Sequence, residues 1–244
     1  MLVGACGTSN SNGDNKVVAA DCSDLIPAPE PGLAAYYRFD ETDGLVCDWS
    51  GQGHHGTPQG TGYTRGVAGA VGKAISFSGG DGAVVVPTST DLDFSTGATI
   101  EMFLRVDTTS ASAVGELIGR GTGNRDDNVL MNTGCGNVQA VFTQETGVTT
   151  VTSRCSLVPV GSFVHVAVVN DGASLTMYFG GMPVMSMTGG QMGPLSTDVY
   201  IGRREQGIFP LVGALDEIKW WTVARAQADV CKDAGKRWSG TACT

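Results

Sequence analysis

Positive charge and long apolar runs are both scarce in this chain of 244 residues. Lysine and arginine number 15 against 24 aspartates and glutamates, which gives a net charge of −9 at pH 7. Nucleic acids and anionic membrane surfaces require a basic footprint, so neither is expected as a partner. No apolar run approaches the roughly 18 residues of a spanning helix, so membrane attachment would need a lipid anchor. The excess of acidic residues has two interpretations: it keeps the protein soluble, or it binds divalent cations.

The signature motifs of common enzyme classes are also missing. The sequence contains no G-x-S-x-G, H-E-x-x-H, P-loop or Rossmann fingerprint. Hydrolysis of a glycosidic bond requires two carboxyl groups that flank the bond. The adjacent Asp216 and Glu217 lie in a β pattern, in which neighbouring side chains point to opposite faces. They are not expected to act together, and the chain is predicted not to be an enzyme.

Cysteine, in contrast, is abundant. Seven cysteines are many for a reduced cytosolic protein and indicate an oxidising compartment. A metal cluster is the weaker alternative, because histidine is scarce and no C-x-x-C pair occurs. Apart from Cys6, six cysteines allow many pairings, and sequence alone does not choose among them. Proximity along the chain favours the disulfides Cys22–Cys47, Cys135–Cys155 and Cys231–Cys243.

Residues 1–31 are predicted to form an N-terminal segment that tethers the rest of the chain. Prolines at positions 27, 29 and 31 favour an extended spacer. Cys6 follows Leu-Val-Gly-Ala, precedes a small polar run, and is the odd cysteine. This resembles the lipobox of bacterial lipoproteins, in which the cysteine is acylated. Either Cys6 is lipidated and the protein is a cell-surface lipoprotein, or the likeness is accidental.

From residue 32 onward, short β runs alternate with Gly, Asp, Asn and Pro, and 36 glycines are spread along the chain. Gly180-Gly181 between two such runs predicts a two-residue hairpin, and a single helix is expected near residues 224–234. The fold class is therefore all-β, an antiparallel two-sheet jelly roll with one short C-terminal helix. The thirteen predicted strands are AAYYRF, KAISF, AVVVP, TIEMFLRV, ELIGR, NVLMN, VQAVFTQ, VTTVTS, FVHVAVVN, LTMYF, MPVMSM, DVYIG and ALDEIKWW.

Several segments occur in a characteristic order: YYRFDE, DWSGQGHHG, GKAISFSGGDGAVVVP, ATIEMFLRV, GSFVHVAVVNDGASLTMYFGGMPV, VYIGR and GALDEI. Together they resemble the laminin G-like family of concanavalin A-like jelly rolls, over most of the chain. The resemblance implies a domain at residues 32–230, followed by a tail at residues 231–244 that the Cys231–Cys243 disulfide closes.

The resemblance also implies a secreted or surface-attached module that binds a glycan or a cell-surface protein through rim loops. Two alternatives remain open at this point: an adhesion protein that makes only protein contacts, and a glycan-processing enzyme with a degenerate site. The fold alone does not distinguish among these functions, because proteins with this fold have many unrelated activities.

Calcium is the expected cofactor of such rim loops, through carboxylate and backbone oxygens. Asp127-Asn128 resembles the Asp-Asn pair of pentraxin calcium sites, and Glu205-Gln206 resembles the segment that completes them. Gly207 stands where a third carboxylate is expected. The alternative is that both segments are solvated polar turns.

A second calcium constellation combines Asp40, Asp48 and Asp216 with carbonyls of the SGQGHHG loop. The first and last strands of a jelly roll tend to be neighbours, so these residues are expected to meet at one end. The alternative is a metal-free brace, in which Asp216 accepts N–H bonds from that loop.

Four residues are candidates for contact with a sugar. Trp220 and Trp221 are consecutive on a strand, so one is expected to face the core and the other the outside. The outer one, Trp221, is either a sugar platform or is covered by the C-terminal tail. Trp49 has the same two interpretations. Arg203 and Arg204 are candidates for pairing with acidic glycans, or are simply solvent-facing.

Overall fold

The structure is a computed structural model that describes residues 21–93, 97–108, 114–121, 128–133, 135–144, 147–189 and 197–244. It is an antiparallel sandwich of two sheets, which confirms the predicted fold class. Eight strands form one sheet: β1 (Leu33–Tyr37), β3 (Tyr63–Ala68), β4 (Lys73–Ser78), β6 (Ala98–Val106), β11 (Val164–Asn170), β12 (Ser174–Phe179), β13 (Met182–Thr188) and β15 (Val212–Trp221). Seven form the other: β2 (Thr57–Gln59), β5 (Ala83–Val86), β7 (Gly115–Arg120), β8 (Asn128–Thr133), β9 (Asn137–Gln144), β10 (Gly147–Thr152) and β14 (Val199–Ile201).

The order of strands brings distant parts of the chain together. The larger sheet runs β13-β12-β11-β6-β15-β4-β3, with β1 also paired to β15. The smaller sheet runs β10-β9-β8-β7-β14-β5-β2. The consecutive strands β2 and β3 therefore lie at the edges of opposite sheets. An open side of the sandwich is thus bordered by two strands that only a short loop separates in sequence.

The core lies between the sheets and follows the strand alternation. In β6, Ile100, Met102 and Leu104 join one continuous apolar cluster with residues from both sheets. Glu101 and Phe103 alternate with them and lie on the outer face, where His165 contacts both. The period-two pattern read from the sequence therefore shows which side chains face the core, while Glu101 is also buried on the outer face.

Alternation breaks once in β15, at Glu217. Leu215 and Ile218 both pack in the core, so Asp216 and Glu217 lie between them on the outer side. The register with β6 shifts here, and Glu217 has φ of 51°, in the left-handed region. Such a two-residue step is a β-bulge. It corrects the expectation that these adjacent carboxylates point to opposite faces.

The bulge marks the point where β15 changes partner along one edge. β4 pairs with residues 212–215 of β15, whereas β1 pairs with residues 218–221. At the junction, a carboxylate oxygen of Asp216 accepts the N–H of Val71, 2.9 Å away, and Glu217 accepts the hydroxyl of Tyr36. The two carboxylates therefore join the β3–β4 turn and β1 to the same strand.

Disulfides fasten both ends of the described chain. The three bonds are Cys22–Cys47, Cys135–Cys155 and Cys231–Cys243, the pairs predicted from proximity. Near the first bond, Ala28 N–H donates to the carbonyl of Trp49 at 2.8 Å, so this part of the N-terminal segment lies against the domain. Cys6 lies outside the described residues, and its lipidation stays a prediction.

The predicted helix forms as α1 (Gln227–Asp233), on the outer face of the larger sheet. Val230 packs against Ala167 and Val169 of β11, and Asp233 pairs with Lys219 of β15 at 2.6 Å. Within the described residues, no helix has the length and hydropathy to cross a membrane.

The predicted hairpin at Gly180-Gly181 joins β12 to β13, with φ of 53° and 80° at the two glycines. A Cβ at Gly181 would lie 2.5 Å from Cys243 Sγ and 2.6 Å from Cys231 Cα. The hairpin therefore packs directly on the C-terminal disulfide, and only glycine satisfies both its backbone conformation and its space.

Replacement of Gly181 by alanine is expected to lower the free energy of unfolding by about 3 kcal/mol, because steric overlap adds to backbone strain. Gly235→Ala is the matched control, since Gly235 has φ of 72° but no atom within 4 Å of the position that a Cβ would occupy. This control substitution is expected to lower the free energy of unfolding by about 1 kcal/mol, which is the backbone strain alone. Denaturant unfolding of both variants measures the difference, and equal losses would refute the packing argument.

Candidate functional site

A groove of about 530 Å³ opens between the edge strands β2 and β3. Its third wall is the loop that precedes the Cys47 disulfide. The lining residues combine hydroxyls, one carboxylate, one guanidinium and apolar surface: Thr42, Asp43, Gly44, Leu45, Thr57, Pro58, Tyr63 and Arg65. This volume lies in the range of small-molecule sites, which pair an apolar lining with a few polar groups.

Arg65 of β3 holds the loop wall in place. Its guanidinium donates to the carbonyls of Glu41, Gly44 and Leu45 at 3.0, 2.7 and 3.0 Å. Gly66, with φ of 74°, makes the β3–β4 bulge that follows. One side chain thus satisfies three backbone acceptors of an irregular loop and fixes the width of the groove.

A series of side-chain contacts leads from Arg65 away from the groove, through Glu41 and Trp49 to Arg38. Glu41 is 5% exposed, lies 3.8 Å from Arg65 and accepts the indole N–H of Trp49 at 3.2 Å. Burial raises the pKa of the Glu41 carboxyl. Arg38 lies 4.6 Å from the centre of the Trp49 ring. Trp49, predicted as a sugar contact, therefore lies behind the groove and supports its wall.

The groove surface combines an aromatic ring, hydroxyls and one carboxylate. Tyr63 is half-buried, with its ring packed against the core, and presents an aromatic surface beside Leu45 and Pro58. Asp43 is exposed, and among the described residues its carboxylate has no hydrogen-bond or ion-pair partner. Thr42 and Thr57 add hydroxyls that both donate and accept.

Asp48, a predicted calcium ligand, is instead a buried brace. It is 0% exposed, and its two oxygens accept four hydrogen bonds, from Tyr36 N–H, Ser50 N–H, Ser50 Oγ and His54 N–H, at 2.8 to 2.9 Å. These bonds occupy the lone pairs of both oxygens. The SGQGHHG loop is therefore held by Asp48, whereas the sequence suggested Asp216 for this role.

Asp40 and Asp216 both hold the turn between β3 and β4. Asp40 accepts the N–H of Lys73 at 2.9 Å, and Asp216 accepts that of Val71 at the same distance. Among the described residues, no group of three or more histidines, cysteines, aspartates or glutamates is arranged to hold a metal. Asp40, Asp48 and Asp216 each accept hydrogen bonds from backbone N–H groups, and calcium shared by the three stays a prediction.

The other calcium constellation is not assembled by the described residues. Asp127 lies outside them, and Asn128 is the first residue of β8. Glu205 and Gln206 lie exposed in the turn after β14. Calcium at these four residues stays a prediction.

Trp221 is not a sugar platform, which corrects that prediction. As expected from alternation, Trp220 faces the core and Trp221 the outer face. Trp221 is nevertheless 0% exposed: Arg225 lies 3.9 Å from its ring centre, and its indole N–H donates to Glu101 at 2.7 Å. Arg225, four residues after the end of β15, covers the ring, whereas the alternative interpretation had named the tail at residues 231–244.

Arg203 and Arg204 are both engaged within the protein. Arg203 donates to the carbonyls of Asp81, Arg204 and Glu205 at 2.9 to 3.2 Å. Arg204 pairs with the buried Glu116 at 2.9 Å, and its guanidinium lies 5.2 Å from the ring centre of Phe209. The two arginines therefore hold the turn after β14, and neither lines the groove.

Sequence reasoning missed the groove residues Asp43, Tyr63 and Arg65. The stretch QGTGYTRGVAG, which contains β3, resembles a loop because four glycines interrupt it. The alternation of Tyr63, Arg65 and Val67 was the available signal, although the bulge at Gly66 weakens it. The pairing of β3 with β4 is what makes this segment a strand.

Comparison with protein families gives one match: the model of Laminin_G_3, described as the concanavalin A-like lectin/glucanases superfamily, matches residues 78–231. No curated protein sequence matches the chain.

Several solved structures share the fold. Domain 4 of AbnA, an extracellular arabinanase from Geobacillus stearothermophilus, was solved with arabinotriose; it is 19% identical, with a TM-score of 0.67 over 83% of this chain and 98% of that one. The binding domain of Paraclostridial Mosquitocidal Protein 1 is 16% identical, with a TM-score of 0.66 over 82% of this chain and 51% of that one. Trypanosoma rangeli sialidase is 13% identical, with a TM-score of 0.63 over 83% of this chain and 32% of that one.

The Asp216 carboxyl gives the structure a measurable pH dependence. Burial, reinforced by repulsion from Glu217, raises its pKa from 3.8 to about 7. The folded state therefore holds this proton more tightly than the unfolded state. The stabilisation is complete below pH 3.8 and is lost as the pH rises through about 7.

Asp216→Asn removes this titration while keeping an oxygen for the N–H of Val71. The stability of the variant relative to the wild type is expected to rise between about pH 4 and 7 and to level off above that range. Urea unfolding across this pH series measures it. A difference that does not vary with pH would show that Asp216 is not the titrating group.

Proposed function

Because this chain belongs to the concanavalin A-like lectin/glucanase superfamily, we propose that it is a non-catalytic module that binds a glycan in the groove between β2 and β3. The observation that carries the proposal is the groove itself, with an aromatic ring, hydroxyls and a free carboxylate on a wall that Arg65 holds rigid. A rigid wall lowers the entropy cost of binding, because few groups remain to be ordered.

The chemistry of the groove favours a glycan over an apolar ligand or a protein surface. Sugars present both C–H faces and many hydroxyls, and this groove sets Tyr63 beside Thr42, Asp43 and Thr57. The similar domain from Geobacillus stearothermophilus was solved with arabinotriose, which supports a glycan as the ligand class. The similar mosquitocidal domain is described only as a binding domain, so contact with a protein is the competing possibility that the binding test addresses.

The absence of catalysis is part of the proposal. A glycoside hydrolase places two carboxyl groups on opposite sides of the scissile bond. Asp43 is the single carboxylate among the residues that line the groove. The paired Asp216 and Glu217 lie on the outer face of the larger sheet, bonded to Val71 and Tyr36. Prolonged incubation with a bound oligosaccharide is expected to release no reducing ends.

The disulfides support a location outside the reducing cytosol, at the cell surface or in the extracellular space. One of them lies close to the groove, because Cys22–Cys47 closes the loop next to Glu41 and Trp49. Cys231–Cys243 closes the tail, at the opposite edge of the larger sheet. Anchoring through Cys6 is proposed as a separate feature that the binding function does not require.

Tyr63→Ala is expected to weaken glycan binding at least about tenfold, because stacking on the ring supplies much of the contact. Affinity electrophoresis in gels that contain arabinan, xylan, β-glucan or chitin oligosaccharides screens the ligand, and calorimetry measures affinity. Tyr63→Phe keeps the ring and should retain most of the binding. Tyr200→Ala removes a half-buried tyrosine on the outer face of the smaller sheet and should leave binding unchanged.

Circular dichroism and thermal unfolding show whether each variant is folded. Retention of a neutral glycan by wild type and Tyr63→Phe, with loss in Tyr63→Ala, supports the proposal. Binding that survives Tyr63→Ala but is lost in Tyr200→Ala would move the site to the smaller sheet, and the groove would be rejected.

Glycan binding is expected to be equal in EDTA and in calcium, because the groove supplies one carboxylate and calcium requires about six or more oxygens. Thermal unfolding in the same two buffers tests the separate prediction at Asp127, Asn128, Glu205 and Gln206. A saturable rise in Tm that Asp127→Ala abolishes supports calcium there. An unchanged Tm discards it, and a calcium-dependent glycan affinity would contradict the assignment of the groove.

A further inference from the structure

The two opposite charges that line the groove differ in exposure. Asp43 supplies the single carboxylate among the lining residues and is exposed, whereas Arg65 supplies the single guanidinium and its side chain is 7% exposed. Arg65 forms its ion pair with Glu41, which is buried behind the wall. The carboxylate of Asp43 is exposed and forms no ion pair within 4 Å among the described residues, and Arg65 offsets its charge only through a longer-range Coulombic interaction.

Most of the hydrogen-bond donors of Arg65 are committed to the loop wall. Three of its N–H groups are directed to the loop carbonyls of Glu41, Gly44 and Leu45. Turning the guanidinium toward a ligand would break these bonds, of which those to Glu41 and Leu45 are partly buried and costly to lose. The groove therefore presents a negative charge to its contents and keeps its positive charge in the wall.

The other candidate cations are also committed. Arg203 and Arg204, the residues expected to receive acidic glycans, hold the turn after β14 and do not line the groove. The net charge of −9 adds a long-range repulsion of anions.

We propose that the groove selects uncharged or cationic glycans and rejects anionic ones, with Asp43 as the residue that determines this specificity. This inference rests on the proposed function. Asp43 accepts hydrogen bonds from sugar hydroxyls or from the ammonium of an amino sugar, and it repels the carboxylate of a uronic acid. A repulsive element of this kind discriminates among chains of similar shape.

Two pairs of probes separate charge from shape. Oligogalacturonides and their methyl esters share a backbone and differ in negative charge; chitin and chitosan oligosaccharides share a backbone and differ in positive charge. For the full-length wild type, we expect the methyl ester to bind about tenfold tighter than the free acid, and chitosan oligomers to bind at least as tightly as chitin oligomers. Raising the salt to about 0.5 M should reduce both differences.

Three variants of the full chain complete the test. Asp43→Asn is expected to reduce the preference for the methyl ester to about twofold, and Asp43→Lys to reverse it, while affinity for a neutral oligosaccharide changes less. Asp229→Asn is the control, since it changes the net charge by the same amount as Asp43→Asn. Asp229 lies far from the groove, on α1, which packs near β13 at the opposite edge of the larger sheet. It should leave all preferences as in the wild type.

Free oligogalacturonides that bind the wild type as tightly as their esters would overturn the inference and leave glycan binding intact. A preference for esters that Asp43→Lys does not alter would overturn the role of Asp43. If no probe and none of the screened neutral glycans binds, the proposed function itself fails, and this specificity fails with it.

Discussion

The bulge in β15 is the constraint on which the larger sheet depends. β15 pairs with β6 along one edge and must serve two strands, β4 and β1, along the other. The extra residue at Glu217 creates the space for this change of partner, and the carboxylates of Asp216 and Glu217 then bond to the two elements that meet there. Because β4 carries β3 at its far edge, the position of one wall of the groove follows from this junction.

Several buried and half-buried carboxylates in this protein accept hydrogen bonds from backbone N–H groups and hydroxyls. Asp48 holds the SGQGHHG loop, Asp40 and Asp216 hold the β3–β4 turn, and Glu41 supports Arg65 through an ion pair. A buried loop must pair its polar groups, and a carboxylate can accept several hydrogen bonds at once. The acidic residues that suggest calcium in the sequence are therefore largely used to shape loops. Asp43 is an exception, and for that reason it is the acidic residue of interest for binding.

The groove illustrates how a common sandwich acquires a specific surface. The core and the sheet order are those of a large superfamily with many activities, so they do not define a ligand. The groove arises where β2 and β3 end the two sheets and the loop at residues 42–45 closes over the gap. Its chemistry depends on a few side chains at those edges, of which Tyr63 also packs against the core.

The sequence alone determined the sandwich class, thirteen of the strands, the glycine hairpin and the alternation of Trp220 and Trp221, because each depends on local periodicity. Proximity along the chain favoured the three disulfides that the structure has, although the sequence left other pairings open. Tertiary structure decided the rest. The strands β2 and β3 are short or interrupted by glycine and form only against their neighbours. The bulge at Glu217, the cover over Trp221 and the commitment of Arg65 each result from contacts between residues far apart in sequence. Whether a charged side chain is free to bind a ligand depends on such contacts, so the candidate site became visible only in the folded chain.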